Sequence, residues 1–189
     1  MTAKLIYFAT RSLDGYIEDE HGKLDWAKFD EERQQFINEQ LHPTGTYLYG
    51  RRMYETMLVW REFGSVESDP GWAREFGTTW RTAEKIVYSK SLKEVELSNT
   101  RLERTFDADA VRAMKSQAVK DLVMGGHELA VQACKFGLID EFKLFIAPVT
   151  LGGGRKAIPE GMRLDLEVID ERYFKGSGVV YLHYRRCAG

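Results

Sequence analysis

A chain of 189 residues is long enough for one domain with a substantial core, and its net charge of −2 gives no general attraction to nucleic acids or acidic membranes. Its hydrophobic content of 43% is typical of globular proteins, and no apolar run approaches the roughly 18 residues that a membrane helix needs. The first residues do not resemble a signal peptide, which predicts a cytoplasmic protein. Cys134 and Cys187 are far apart and the four histidines are scattered, so we expect neither a disulfide framework nor a metal site.

Hydrophobic periodicity predicts an alternation of strands and helices along the chain. Strands are expected at residues 4–9, 46–49, 85–88, 121–124, 141–149, 164–171 and 179–185. Helices are expected at residues 30–41, 52–58, 109–117 and 127–136. The alternation predicts a mostly parallel sheet with helices on both faces, and two extended runs around a Gly-Ser-Gly turn predict a C-terminal antiparallel hairpin. No linker divides the chain, so residues 1–189 are expected to form one domain.

A glycine and two arginines follow the second predicted strand. Gly50 lets the backbone approach a ligand, and Arg51 and Arg52 stand where the next helix begins, a position that favours anions. The pattern therefore predicts a phosphate site. A surface turn with solvated arginines explains it equally well.

Five large aromatic residues flank the sequence SDPG in the middle of the chain. They could form a lip over a substrate, but packing of a long loop onto the domain is the favoured interpretation. The residues are Trp60, Phe63, Trp72, Phe76 and Trp80.

The third predicted strand ends in Ser89, Lys90 and Ser91. Two hydroxyls and an ammonium at the carboxyl end of a strand suit a phosphate monoester such as the 2′-phosphate of NADP. Taken alone, the same three residues are an ordinary start to a loop, and that alternative is the favoured one.

Two adjacent glycines, Gly125 and Gly126, separate a predicted buried strand from a helix in the sequence VMGGHELA. Such a step builds a concave set of backbone N–H donors that can accept a pyrophosphate. It is neither the dinucleotide fingerprint nor a P-loop, which argues against a kinase or ATPase. The alternative is a tight turn without a ligand.

A further glycine-rich stretch, GGGRKAIPEG, occupies residues 152–161. Its Arg155 and Lys156 could contact a substrate, although a flexible solvated turn is the favoured interpretation.

The order and content of these segments resemble the dihydrofolate reductase-like fold, most closely the C-terminal reductase domain of the bifunctional deaminase-reductase of riboflavin biosynthesis. The resemblance covers nearly the whole chain. It rests on SLDGYIED at 12–19, GRRMYE at 50–55, VYSKSL at 87–92, VMGGHEL at 123–129 and GLIDEFKLFIAPVTLGGG at 137–154. It implies a three-layer α/β/α architecture around a mixed, mostly parallel sheet with the C-terminal hairpin at one edge.

The resemblance also implies that NADPH is the cofactor. Gly50 and the two arginines after it would lie beside its phosphates, the Ser-Lys-Ser segment would take the 2′-phosphate, and the glycine pair would hold the pyrophosphate and the nicotinamide end. In the family the glycine pair is joined by a cis peptide bond, at a cost of about 3 kcal/mol. The implied cofactor-binding residues are Ala9, Gly50, Arg51, Arg52, Met53, Ser89, Lys90, Ser91, Gly125, Gly126, His127 and Glu128.

The sequence differs from the family pattern at one cofactor-binding position and does not decide which residue is the substrate-binding acid. Met53 stands where the family usually has a threonine whose hydroxyl touches a cofactor phosphate. For the carboxylate on the first helix that binds substrate in dihydrofolate reductases, Glu31 and Glu32 both qualify, and a purely helix-stabilising role is favoured for either. Asp14, at the end of the first strand, would border the nicotinamide and the substrate and is a third candidate catalytic residue.

Together these features predict an NADPH-dependent reductase that acts on a small heterocyclic or ribosylated substrate. The nearest named activity is the reduction of 5-amino-6-(5-phosphoribosylamino)uracil in riboflavin biosynthesis. Reduction of dihydrofolate, nucleotide binding without turnover, and flavin in place of NADPH are the alternatives. The family also implies a homodimer formed through the last strands.

Overall fold

A central eight-stranded sheet runs through the computed structural model, which describes residues 2–187. In chain order the strands are β1 (Leu5–Ser12), β2 (Tyr16–Glu18), β3 (Thr44–Gly50), β4 (Glu84–Tyr88), β5 (Thr100–Glu103), β6 (Asp121–Gly125), β7 (Glu141–Ala147), β8 (Arg155–Lys156), β9 (Leu166–Tyr173) and β10 (Val180–Arg186). The central sheet has the order β5-β4-β3-β6-β1-β7-β10-β9, and β2 pairs with β8 in a separate two-stranded sheet. All pairs from β5 to β7 are parallel, whereas β10 pairs antiparallel with both β7 and β9.

Every connection between consecutive parallel strands except that from β4 to β5 contains a helix. The helices are α1 (Glu31–Leu41), α2 (Arg51–Met57), α3 (Gly71–Thr82), α4 (Ala108–Gln117) and α5 (His127–Lys135), with a short 3₁₀ helix at Leu58–Arg61. Asp30 begins α1 by accepting the backbone N–H groups of Glu32 and Arg33, and Asp107 caps α4 in the same way. No helix within residues 2–187 is long and apolar enough to cross a bilayer.

The core lies on both faces of the sheet because successive side chains of a buried strand point to opposite sides. Leu5 and Tyr7 of β1 pack with residues of α4 and α5 on one face. Ile6 packs on the other face in a cluster that includes Tyr54 of α2 and Trp80 of α3, and Phe36 of α1 packs nearby. The predicted three-layer α/β/α architecture with its C-terminal hairpin is confirmed.

The predicted strands and helices all exist, with bounds that differ by a few residues. Three strands of two to four residues, β2, β5 and β8, were not predicted because they are too short to show a period. Interpreting the whole aromatic stretch as a loop was wrong, because three of its five aromatic residues lie in α3. Trp72, Phe76 and Trp80 are four residues apart, the spacing of one helix face, and this signal could have identified the helix.

Candidate functional site

Three of the predicted cofactor segments meet at the carboxyl edge of the sheet. β4, β3 and β6 are adjacent and parallel, with Gly50 paired to Tyr88 and Tyr49 paired to Gly125. The residues that follow each strand therefore emerge side by side. Ligands of open α/β sheets bind at this edge, outside the carboxyl ends of the strands.

Arg51 connects two of these segments directly. It begins α2, and its Nη1 donates a hydrogen bond of 3.0 Å to Oγ of Ser91, which lies in the loop after β4. Its Nε pairs with Glu55 one turn later at 2.7 Å. The guanidinium is thus held between the start of α2 and the Ser-Lys-Ser segment, where the sequence analysis expected two separate phosphate contacts.

The Ser-Lys-Ser segment is a tight turn. Oγ of Ser89 accepts the backbone N–H groups of Ser91 at 3.3 Å and Leu92 at 3.0 Å. Ser89 is buried, whereas Lys90 is exposed and stands at the tip of the turn. An exposed ammonium on an ordered turn can reach a phosphate monoester without first losing a protein partner.

The glycine pair makes the step from β6 to α5. Gly126 has a φ of +94°, a conformation that side chains rarely adopt, and it directly precedes the first residue of α5. The peptide bond between Gly125 and Gly126 is trans, so the expectation of a cis bond was wrong.

Met53 lies over this glycine pair. A Cβ placed on Gly125 would come within 3.2 Å of the Met53 Cε atom, and one on Gly126 within 3.8 Å of its Cβ. The residue that replaces the family threonine therefore fills space beside the backbone that was expected to hold the pyrophosphate.

A chain of ion pairs crosses the site from α2 to α5. Glu18 of β2 lies 3.6 Å from Nη1 of Arg52 and 2.5 Å from Nε of Arg155, and Arg155 also pairs with Glu128 at 2.8 Å. Glu18 is mostly buried, with 17% of its side chain exposed. The interpretation of the stretch around Arg155 as a solvated turn was wrong, because this arginine belongs to β8 and pairs across to β2.

His127 joins the same strand to α5. Its Nδ1 lies 2.5 Å from the carbonyl oxygen of Lys156. A carbonyl can only accept, so the neutral ring carries its proton on Nδ1 and leaves Nε2 as an acceptor. Lys156 in turn lies over the Tyr16 ring, 4.2 Å from its centre.

Asp14 holds a turn together at the end of β1. Its carboxylate accepts the Ser12 hydroxyl at 2.6 Å and the backbone N–H groups of Leu151 and Gly152. The hydrogen bond from Ser12, with the two backbone donors, lowers the pKa of Asp14 to about 2. At neutral pH this carboxylate is ionised and cannot act as a proton donor in the geometry of the free protein.

Tyr7 of β1 pairs with Met124 of β6, and Ala9 lies two residues further along β1. Continuing this register places Ala9 level with Gly126. It also pairs with Leu144 of β7. Ala9 is therefore between the glycine pair and the hairpin side of the sheet, and its contact with the nicotinamide stays a prediction.

The two acids of α1 lie at the same edge but away from the cofactor segments. Glu31 is exposed, and Glu32 pairs with Arg172 of β9 at 2.9 Å. The helix start is attached to the hairpin turn through Asp30, which accepts the Ser177 hydroxyl at 2.7 Å. Three strands of the sheet, β6, β1 and β7, separate this region from β3. The catalytic roles of these acids stay predictions.

Arg33 is the residue that sequence reasoning missed. Only 8% of it is exposed, and its buried Nε and Nη1 atoms have no hydrogen-bond partner within residues 2–187. It precedes Phe36 by one helical turn, so both side chains lie on the face of α1 that packs against Phe145 of β7. Burial lowers the pKa of Arg33, with Asp30 opposing the shift, but an arginine keeps its charge. Arg33 is thus a buried cation whose Nε and Nη1 are unsatisfied within residues 2–187, one helical turn from Phe36. No short motif marks such a residue.

The comparisons with known proteins agree with this fold. The sequence profile of the RibD C-terminal domain matches residues 3–179. The chain is 30% identical over 175 residues to the uncharacterized protein YyaP of Bacillus subtilis (strain 168), covering 92% of this chain and 89% of that protein. A putative riboflavin biosynthesis protein from Shewanella sp. PV-4 superposes with a TM-score of 0.74 at 22% identity, over 100% of both chains. Dihydrofolate reductase from Enterococcus faecalis, solved with NADP(H), superposes with a TM-score of 0.65 at 16% identity, also over 100% of both chains.

Proposed function

The chain belongs to the RibD C-terminal domain family, and from this premise we propose that it is an NADPH-dependent reductase. Its substrate is a small heterocyclic or ribosylated molecule that carries an anionic group. The nearest named activity is the reduction of 5-amino-6-(5-phosphoribosylamino)uracil. The observation that carries the proposal is the convergence of three anion-suited segments at the carboxyl edge of one parallel sheet.

The residues present at that edge fit a phosphorylated dinucleotide. Gly126 places no side chain of its own at the start of α5, and Arg52 offers positive charge from the neighbouring α2. Lys90 and Ser91 would hold the 2′-phosphate monoester. NADPH, when bound, would supply the hydride, and the protein would supply orientation and exclusion of water.

Arg33 supports an anionic substrate. A buried guanidinium with unpaired N–H groups is costly unless a ligand satisfies it. A phosphate or carboxylate accepts two such donors at once, which is the pairing that arginine favours. Because α1 lies on the hairpin side of β1, the substrate would approach from the opposite side to the cofactor phosphates, with Ala9 between them.

The first experiment measures thermal stabilisation of the purified protein by NADPH, NADH and FMN in parallel. A ligand at about 100 times its dissociation constant adds roughly 2.7 kcal/mol to the free energy of unfolding. We expect the largest shift with NADPH. Oxidation of NADPH is then followed with ribosylated pyrimidines, dihydrofolate and carbonyl compounds as candidate substrates.

The possible results separate the proposal from its alternatives. A larger shift with FMN would indicate a flavin protein, and no shift with either nicotinamide would refute the cofactor assignment. A clear NADPH shift without turnover of any substrate would favour a binding protein. Turnover of dihydrofolate alone would make the protein a dihydrofolate reductase.

We also propose that the protein is a cytoplasmic homodimer formed through β9 and β10. Val168, Tyr173 and Val180 share one face of this hairpin through the pairs Tyr173–Val180 and Val168–Tyr184, and each is at least 36% exposed. An exposed apolar patch of this kind favours association. Sedimentation at micromolar concentration should give twice the chain mass of 21.8 kDa, and Tyr173→Glu should give the monomer.

A further inference from the structure

Arg104 holds the Ser-Lys-Ser turn from the side opposite to Arg51. It directly follows β5, whose last residue pairs with Tyr88 at the end of β4. Its Nη1 donates to the carbonyl oxygens of Ser89, at 3.2 Å, and of Leu92. Its Nη2 donates to the carbonyl oxygen of Lys93 at 3.4 Å. Three carbonyl groups of five consecutive residues therefore converge on one guanidinium.

This arrangement depends on the shape of the arginine side chain. A guanidinium presents five N–H donors in one plane, so it can bind several carbonyl groups in fixed directions. The backbone N–H of Ser89 is bonded to the carbonyl of Glu103 at 2.9 Å, which ties the start of the turn to the same strand. The turn is thus fixed before any ligand binds.

Arg51 contacts the other side of the turn, and the two contacts together affect how the turn can bind a ligand. Ser91 accepts a hydrogen bond from Arg51 of α2, so the turn lies between two guanidinium groups, one on its backbone carbonyls and one on a side-chain hydroxyl. Lys90 stands between these two anchoring points in the chain and is exposed. An ordered turn presents the ammonium and the hydroxyl together, which spares the conformational entropy that binding would otherwise lose.

We infer that Arg104 is a positioning residue that gives the protein its preference for a 2′-phosphorylated nucleotide. The inference rests on the proposed function, in which the Ser-Lys-Ser turn binds the 2′-phosphate. Arg104 does not contact the ligand. It acts by fixing the turn that carries Lys90 and Ser91, and its loss frees this turn without removing a ligand contact.

The test compares Arg104→Gln and Arg104→Lys with the wild type. Dissociation constants are measured by calorimetry for NADPH, NADH, 2′-AMP and 5′-AMP. Arg101→Gln is the matched control, because Arg101 is an exposed arginine of β5, the strand that Arg104 follows, and its side-chain partners within residues 2–187 are Glu103 and Met114. Melting temperatures are recorded for every variant, and the lysine variant keeps the charge if the glutamine variant is poorly folded.

We expect Arg104→Gln to weaken NADPH and 2′-AMP by about tenfold, and NADH and 5′-AMP by less than about twofold. Arg104→Lys should recover part of the loss, since one ammonium can hold one or two of the three carbonyls. Arg101→Gln should bind as the wild type does.

Two results would overturn the inference, and they differ in what else they refute. If the wild type prefers NADPH and Arg104→Gln keeps the same NADPH-to-NADH ratio, Arg104 only stabilises the fold, while the proposed function stands. If the wild type itself binds 2′-AMP no better than 5′-AMP, the turn is not a 2′-phosphate site, and both the inference and the cofactor assignment are wrong.

Discussion

The two halves of the carboxyl edge are built in different ways. On the side of β3, β4 and β6, the candidate cofactor residues follow their strands directly and belong to short segments of consecutive sequence. On the side of β1, β7 and the hairpin, the site is formed by side chains from distant parts of the chain, such as Arg33 of α1, one helical turn from Phe36, which packs against Phe145 of β7. A short motif is enough to describe the first half, whereas the second exists only after the fold has formed.

This difference separates what each half can recognise. Backbone amides, a glycine step and cations at strand ends suit phosphates, which many nucleotides share. A buried guanidinium suits one group of one substrate, because an unsatisfied buried donor penalises every ligand that cannot pair with it. We therefore expect substitutions on the side of β3, β4 and β6 to change the affinity for nucleotides, and substitutions on the hairpin side to change the kcat/KM for the substrate.

The largest expected effect on the cofactor half comes from Gly126→Val. Gly126 has a φ of +94°, so a branched side chain strains the backbone and also projects into the approach to α5. We expect binding of NADPH and NADH to fall by at least about 100-fold each, since strain and steric exclusion together exceed roughly 2.7 kcal/mol. Calorimetric titration of both nucleotides checks this.

Backbone strain alone is controlled by Gly22→Val. Gly22 also has a positive φ, +75°, and a Cβ there would meet nothing within 4 Å. Its variant should lose a similar amount of stability and keep its affinity for NADPH. Equal loss of affinity in both variants would mean that the glycine pair is only a turn.

The same contrast explains how much of the molecule could be predicted from the sequence. Five of the six parallel strands, four of the five α-helices and the hairpin follow from local periodicity, and the phosphate segments follow from residue types at strand ends. Arg33 could not be found in this way, because an arginine on a polar helix usually faces solvent, and its burial depends on how α1 packs in the folded chain. The pairing of Arg155 with Glu18 likewise depends on the two-stranded sheet, whose strands have only two and three residues.

The hairpin half is tested by Arg33→Gln. This change removes the cation that would bind the anionic group of the substrate. We therefore expect the kcat/KM of the reductase reaction to fall by about 30-fold, which corresponds to roughly 2 kcal/mol for a charge-assisted hydrogen bond. The dissociation constant for NADPH should stay within about twofold of the wild type. Steady-state kinetics and calorimetry together separate the two quantities.

The neighbouring acids provide the control for this position. Glu31→Gln and Glu32→Gln change exposed carboxylates in the same helical turn. We expect each to reduce kcat/KM by less than about threefold, as for other exposed ion pairs. A severe loss from one of them, with Arg33→Gln near the wild type, would instead identify that acid as the substrate-binding group.

A smaller effect, in the opposite direction, is expected from Met53→Thr. The threonine hydroxyl can donate a hydrogen bond to a cofactor phosphate. The change also removes the Met53 Cε atom, which lies 3.2 Å from where a Cβ on Gly125 would be, and so opens space beside the glycine pair. One hydrogen bond of about 1 kcal/mol corresponds to roughly fivefold tighter NADPH binding. Met57→Thr, one turn along α2 in the same hydrophobic cluster, should lower the melting temperature comparably and leave the affinity unchanged. No gain from Met53→Thr would mean that the methionine does not limit access to the glycine pair.

The smallest expected effect comes from Glu18→Gln. In the free protein Glu18 shares its charge between Arg52 and Arg155, so a bound phosphate must compete with this carboxylate for Arg52. Removing the charge should tighten NADPH by about threefold at low ionic strength, and the gain should shrink as added salt screens it. Glu62→Gln removes an acid that pairs with Arg61 instead and should leave the affinity unchanged at every salt concentration. If Glu18→Gln weakens NADPH, the carboxylate positions the two arginines for the cofactor, and the ion-pair chain from α2 to α5 is part of the binding site.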